Sequence, residues 1–232
     1  MLQLRRLAFA LLASSVSLVA CGSDDVTGTD ANNATVQFIN ATAVSLDVAQ
    51  GGTVATGNGA LSYGTTSLCI ATDATNSNLA VRQTGTSTPL PGFTPAFQPG
   101  GNYSVVAYPG ATAATILFAT VSNAFTPTAG QGGLRVFNGA GAGTSYDIYV
   151  GAPGSSTATA GANNVGFGSG SSYFNVVAGT AQQVRVTNAG SQTVVLDVGS
   201  RTFTAGQNVT LVITPPAFTG SPAPRAFYAT GC

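Results

Sequence analysis

Apolar residues in this chain recur at every second position, in short runs separated by Gly, Pro, Ser, Thr and Asn. In residues 34–40, Val36 and Phe38 share one face; in residues 45–49, Leu46 and Val48 share one face and Asp47 points the other way. Residues 102–108 and 207–214 are rich in Val, Tyr, Leu and Ile. They open on turn candidates, Gly100-Gly101 and Ala205-Gly206, and close at Pro109 and Pro215. A period of two is that of a strand with one buried face. No ten-residue stretch beyond position 33 carries helical periodicity, so the pattern predicts an all-β body.

The strand pattern occurs twice. Val36-Gln37-Phe38-Ile39-Asn40 matches Leu134-Arg135-Val136-Phe137-Asn138, and Ser45-Leu46-Asp47-Val48 matches Ser145-Tyr146-Asp147-Ile148. Tyr63-Gly64 matches Phe167-Gly168, Val81-Arg82 matches Val184-Arg185, and Asn102 matches Asn208. Phe118-Ala119-Thr120 matches Tyr228-Ala229-Thr230. The spacing between matched positions widens steadily along the chain, as loop insertions in a duplicated unit produce. The copies are placed at 34–125 and 132–232, with 126–131 as linker. Six to seven strands in each predict two tandem β-sandwiches with an immunoglobulin-like layout.

The N-terminus follows a different rule. Arg5 and Arg6 precede an apolar run at 7–18, interrupted only by serines, and small residues follow. This reads as a signal peptide over 1–20, whose apolar run is too short to span a bilayer comfortably. Leu18-Val19-Ala20-Cys21 resembles the bacterial lipobox, which implies that Cys21 becomes the lipidated first residue of an exported protein. A diacylglyceryl thioether and an N-acyl chain, at ~0.8 kcal/mol per buried CH₂, make such attachment effectively permanent. By the rule that Asp after the Cys retains lipoproteins in the inner membrane, Gly22 favours the outer membrane. Residues 21–33, in which Val26 is the only large apolar side chain, read as a flexible tether.

Several features of the body fit one family. They are a hydrophobic strand ending in Asn40 or Asn138, a Leu46-Asp47-Val48 or Tyr146-Asp147-Ile148 strand, the Tyr63-Gly64 or Phe167-Gly168 turn, and the Gly-x-Asn strand openings at Asn102 and Asn208. Together they resemble the bacterial domain-of-unknown-function family 4397. The resemblance spans nearly all of residues 34–230. It implies exported or lipid-anchored proteins, often with tandem immunoglobulin-like sandwiches, and no catalytic residue. The opening run usual in the family is reduced here to Asn40-Ala41-Thr42 and Asn138-Gly139-Ala140.

Composition narrows the chemistry. Charged residues make up 6% of the chain, and it contains no His, Lys, Glu or Trp. Cleavage after Ala20 leaves five Arg against seven Asp, a weakly acidic balance without the basic footprint of a nucleic-acid binder. Most acid–base and triad arrangements have no residues to use. Asp47, Asp73, Asp147 and Asp197 remain in the body, and the equivalence of Asp47 and Asp147 is explained by duplication alone. The segment 72–76 is a polar loop rather than a calcium loop. The glycine runs at 139–143 and 166–170 lack the following helix that a phosphate cradle needs. No catalytic, metal or cofactor residue is assigned. Arg82 and Arg185 are repeat-equivalent structural candidates; a cross-strand Asp–Arg pair, if exposed, would contribute ~0–1 kcal/mol.

With Cys21 committed to lipid, Cys69 and Cys232 remain, and two Cys in an exported chain pair more often than not. Pairing would staple the C-terminus to the first copy, and so large a loop implies ~4–5 kcal/mol. The alternative is a buried Cys69 with a free Cys232. The expected function is a non-catalytic structural or interaction module held to the membrane by lipid, facing an envelope protein or polysaccharide. A second reading is a carbohydrate- or polymer-binding module using exposed Tyr103, Tyr108, Tyr146, Tyr149 and Tyr173. An Asp-based hydrolase is a distant third.

Overall fold

The structure, a computed structural model, describes residues 32–112, 115–155, 160–216 and 223–232. The signal peptide, Cys21, Gly22 and nearly all of the tether lie outside the described residues. The first copy contains β1 (Asn33–Asn40), β2 (Leu46–Gln50), β3 (Thr53–Val54), β4 (Ile70–Asp73), β5 (Leu79–Gln83), β6 (Asn102–Pro109) and β7 (Ile116–Ser122). The second contains β8 (Gln131–Asn138), β9 (Ser145–Gly151), β10 (Ala162–Gly166), β11 (Ser169–Gly170), β12 (Phe174–Val177), β13 (Ala181–Asn188), β14 (Val194–Thr202), β15 (Asn208–Thr214) and β16 (Arg225–Thr230). There is no helix among the described residues. The protein is all-β and sandwich-like, in two tandem units.

In the first copy one sheet runs β4-β1-β6-β7 and the other β3-β2-β5. In the second, one sheet runs β11-β8-β15-β16, with β12 also on β8, and the other β10-β9-β13-β14. The opening strand of each copy pairs in parallel with the late strand that the Gly turn launches, β1 with β6 and β8 with β15. Alternation then sends Val36, Phe38, Val105 and Ala107 into the first copy's core. Leu134, Val136, Leu211 and Ile213 enter the second.

The intervening side chains form a third core. Ile39, Val106 and Tyr108 from the first copy pack with Phe137, Val212 and Ala229 from the second, and Leu117, Ala119, Val121, Phe167 and Phe227 close around them. The sheets carrying β1 and β8 therefore face each other and are covered on both sides. This explains their unbroken burial, since a sheet buried on both faces needs near-continuous apolar runs. Fully burying Ile39, Val106, Phe137 and Val212 is worth roughly 6–12 kcal/mol in all, at 1.5–3 kcal/mol per large side chain. That is comparable to the whole stability of a small domain, so the copies are fused as one body.

Ladder register corrects two of the repeat matches. Thr35 faces Asn102 and Gly133 faces Asn208, so the opening strands align as matched. But Val48 pairs with Val81 and Ile148 with Val186, which makes Val81 the equivalent of Val186 and Arg82 the equivalent of Thr187. Likewise Ala107 pairs with Phe118 and Ile213 with Ala226, so Phe118 corresponds to Ala226 rather than Tyr228. Both slips are two residues. A two-residue slip keeps every side chain on its own face, so period-two patterning cannot register it.

Candidate functional site

The candidate carboxylates serve the backbone. Asp47 leaves the sheet face opposite Leu46 and Val48, and its Oδ1 accepts from Ala60 N at 2.7 Å and Thr84 Oγ1 at 2.9 Å. Asp147 does the same in the second copy: Oδ1 accepts from Asn164 N at 2.7 Å and Oδ2 from Gly190 N at 2.8 Å. Ala60 and Asn164 both stand at positive φ, 52° and 49°. The device is thus duplicated whole: a buried strand carboxylate fixes a left-handed turn residue in the loop covering it. The hydrogen bond from Ala60, ahead of those from Thr84 and Gly85, holds the Asp47 carboxyl below the usual carboxylate range although burial opposes it. Asp73 closes its own turn, accepting from Thr75 N and Oγ1 at 2.8 Å and Asn76 N at 3.1 Å, and is also depressed by these bonds. Asp197 accepts from Gly199 N at 2.9 Å and Gln183 Nε2 at 2.6 Å.

Asn40 and Asn138 act in a similar way at the strand ends. Asn40 Nδ2 donates to Val44 O and Leu61 O, and its Oδ1 accepts from Thr42 N. Asn138 Nδ2 donates to Thr144 O and Val165 O, and its Oδ1 accepts from Ala140 N. These side chains turn the corner from one sheet to the next, which is why an Asn ends both opening strands.

The two arginines expected as equivalents differ. Arg82 lies opposite Asp47 in the ladder, but its Nη1 donates to Gly52 O at 3.4 Å. Arg185 faces Asp197 and donates to the Ser155 carbonyl and hydroxyl. The arginine that alternation did not single out is Arg135, only 2% exposed. Its Nη1 donates to Ser122 O at 2.6 Å, and Nη2 donates to Asn123 Oδ1 and Thr210 Oγ1, both at 2.9 Å. Its guanidinium stacks 4.6 Å from the Tyr173 ring centroid. None of these partners is a carboxylate, and burial pulls its pKa down. It pins the second copy to the end of β7 in the first.

The glycine runs have a packing role. A Cβ on Gly168, which stands at φ +73°, would meet Tyr108 Oη at 2.7 Å, and one on Gly139 would meet Tyr108 Cβ at 3.1 Å. The 139–143 and 166–170 segments are bare where the first copy presses on them. The tyrosines do not form a platform. Tyr108, Tyr146 and Tyr149 are buried, while Tyr103 and Tyr173 are half-buried. Tyr103 packs on the first core and Tyr173 stacks on Phe125 at 5.3 Å.

Cys69 and Cys232 form a disulfide across 163 residues, with Cα atoms 5.9 Å apart. Cys69 sits just before β4. Beside it runs a groove of about 670 Å³ between residues 64–69 and the β16 end, lined by Gln37, Thr66, Leu68, Tyr228, Thr230 and Gly231 among others. Leu68, 62% exposed, stands on its rim. No group of three His, Cys, Asp or Glu that could hold a metal occurs among the described residues.

Fold and side-chain use together define a tandem all-β protein whose polar groups are spent on corners, turns and the seam between copies. The chain belongs to the family described as domain of unknown function DUF4397, whose model matches residues 34–149 and 134–230. No curated protein matches the chain.

Proposed function

We propose that the protein is a non-catalytic structural or interaction module of the bacterial envelope, lipid-anchored through Cys21 and presenting its two copies as one rigid body. The observation that supports this best is the third core, reinforced by the Cys69–Cys232 bond: a tandem pair joined by a flexible linker alone would need neither. The carboxylates a hydrolase would need are committed to backbone amides, which favours the non-catalytic reading. With Tyr108, Tyr146 and Tyr149 buried and Tyr103 and Tyr173 half-buried against other side chains, nothing favours the carbohydrate reading's flat aromatic surface. Gly22 favours the outer membrane, and an envelope protein or polysaccharide is the partner expected there.

Anchoring is tested by expressing the full chain and its Cys21→Ser variant in a bacterium fed labelled palmitate. The wild type should incorporate label and partition into detergent, and the variant should do neither. Equal labelling and partitioning of both would overturn the anchor. Cross-linking in intact cells, followed by identification of what the wild type captures and Cys21→Ser does not, tests the interaction role.

A further inference from the structure

The duplication makes one half of the molecule a template for the other. Register equates Gln37 with Arg135, and both side chains point into the space between the copies. In the second copy the guanidinium of Arg135 fills the gap between its own sheet and the end of β7. In the first copy the corresponding gap is the groove beside Cys69, and the shorter Gln37 leaves it open.

The acceptors remain. Arg135 Nη1 donates to Ser122 O, whose counterpart is Thr230 O. Gly231 N donates to Asn208 O on β15, and the N–H and C=O of one trans peptide point opposite ways. The Thr230 carbonyl therefore faces away from β15, towards the groove. Gln37 is 7% exposed; its Nε2 donates to Ser67 O at 3.2 Å, which fixes the amide orientation and leaves Oε1 unpartnered. A buried acceptor without a donor costs free energy that a ligand donor would recover. Gly231 replaces Asn123 here, so the groove is also wider. Among the described residues no charged side chain lines it.

We propose that this groove binds a guanidinium, the arginine side chain of an extended partner polypeptide, with Gln37 Oε1 and Thr230 O as its acceptors. A planar fork of N–H donors can reach two acceptors at once, which a single ammonium does less well. The polypeptide source follows from the flanks: among the described residues β16 is an edge strand of its sheet, open to a further strand, and exposed Leu68 offers an apolar contact beside it. This deepens the interaction reading and rests on it only for the partner's setting. Binding by a dissolved peptide is independent of anchoring, so failure of either leaves the other distinguishable.

The test is titration of the oxidised, isotope-labelled full chain in detergent micelles, followed by NMR. The probe is a short Gly/Ser/Thr peptide with one central arginine; lysine and citrulline versions and N-acetyl-arginine amide are the controls. The arginine peptide should shift Gln37, Leu68 and Thr230. The lysine peptide should bind about tenfold more weakly, the loss of one charge-assisted hydrogen bond, and citrulline weaker still. Gln37→Arg, which supplies its own guanidinium, should abolish binding without loss of the native spectrum. Gln37→Leu, which removes the acceptor without filling the groove, should weaken it about tenfold. Equal binding of lysine and arginine peptides, or unchanged binding by Gln37→Leu, would overturn the guanidinium site. Equal binding of the amide and the peptide would overturn the polypeptide source.

Discussion

Cys69 and Tyr173 occupy the same position in the two copies. Two residues upstream of each, a serine hydroxyl accepts from the opening strand, Ser67 from Phe38 N at 2.8 Å and Ser171 from Val136 N at 3.0 Å. Each serine then donates to the carbonyl of the next residue. From there Cys69 bonds to Cys232, and Tyr173 stacks on Phe125 with rings 15° from parallel. Each ties the loop before an edge strand to the segment leaving the other copy's last strand. Two amide bridges repeat the arrangement, Asn102 Nδ2 to Cys232 O at 2.9 Å and Asn208 Nδ2 to Phe125 O at 2.8 Å. The seam has a pseudo-twofold relation, covalent at one end and aromatic at the other.

Breaking the covalent end should therefore lower stability without separating the copies. The loop-entropy cost of so long a closure is about 5 kcal/mol. That is an upper bound, because residual structure in the unfolded chain already restricts part of that freedom. Cys232→Ser should lower the thermal midpoint while leaving a single cooperative transition by calorimetry. Two resolved transitions would show that the third core is too weak to fuse the copies.

Arg135 should be intolerant of truncation but tolerant of its counterpart. Arg135→Ala removes the donor of Ser122 O and Thr210 Oγ1, leaves Asn123 Oδ1 with Ser104 Oγ as its remaining donor, and opens a cavity, at a cost of roughly 3–5 kcal/mol. Arg135→Gln places in the second copy the residue that the first copy already carries, and a buried cation is no longer desolvated. It should cost less than half as much in urea unfolding. Equal losses would mean that the contacts to β7 are energetically idle.

The strands and the duplication were legible because period-two patterning and Gly/Pro punctuation are local signals. Val36 and Phe38 did turn to one core, and Asp47 did turn from it. The third core was not legible. Ile39, Val106 and Phe137 belong to strands already explained by one buried face, and nothing in a single strand says that its second face is also covered. The glycines at 139 and 168 were its trace in the sequence, since bare backbone marks close approach, but their partner Tyr108 lies in the other copy. Arg135 was hidden for the same reason: a lone arginine between Leu134 and Val136 reads as a solvent-facing position until the opposing sheet is placed. The Cys69–Cys232 pair was legible by count alone.

Ala60 offers a gain in stability. It holds a left-handed backbone at φ 52° so that its N–H can reach Asp47, a geometry costing an L residue roughly 1–2 kcal/mol. Its counterpart Asn164 is a residue type that tolerates this region. Ala60 is exposed, so removing its methyl costs no packing. Ala60→Gly should raise stability by about 0.5–1 kcal/mol after the entropy of the more flexible unfolded chain is counted. Chemical denaturation with an unchanged m-value checks it, and a loss would mean that the turn is not strained.

Acid should weaken the first copy through Asp47. Its carboxyl lies below the usual range in the folded protein, chiefly through the bond from Ala60 N and then those from Thr84 and Gly85. A depressed folded value means that the unfolded chain binds the proton first on acidification. The stabilisation is therefore complete above the unfolded-state value of roughly 3.9 and is lost as pH falls through the folded value. Asp73 adds in the same direction from its exposed turn. Asp47→Asn keeps an acceptor for Ala60 N but loses the charge, and should cost about 1–2 kcal/mol at neutral pH. Because the variant has no proton to take up at that position, its stability should fall less than the wild type's between neutral and acid pH. Urea midpoints at both ends of that range decide the matter: parallel losses in the two proteins would place the acid sensitivity elsewhere.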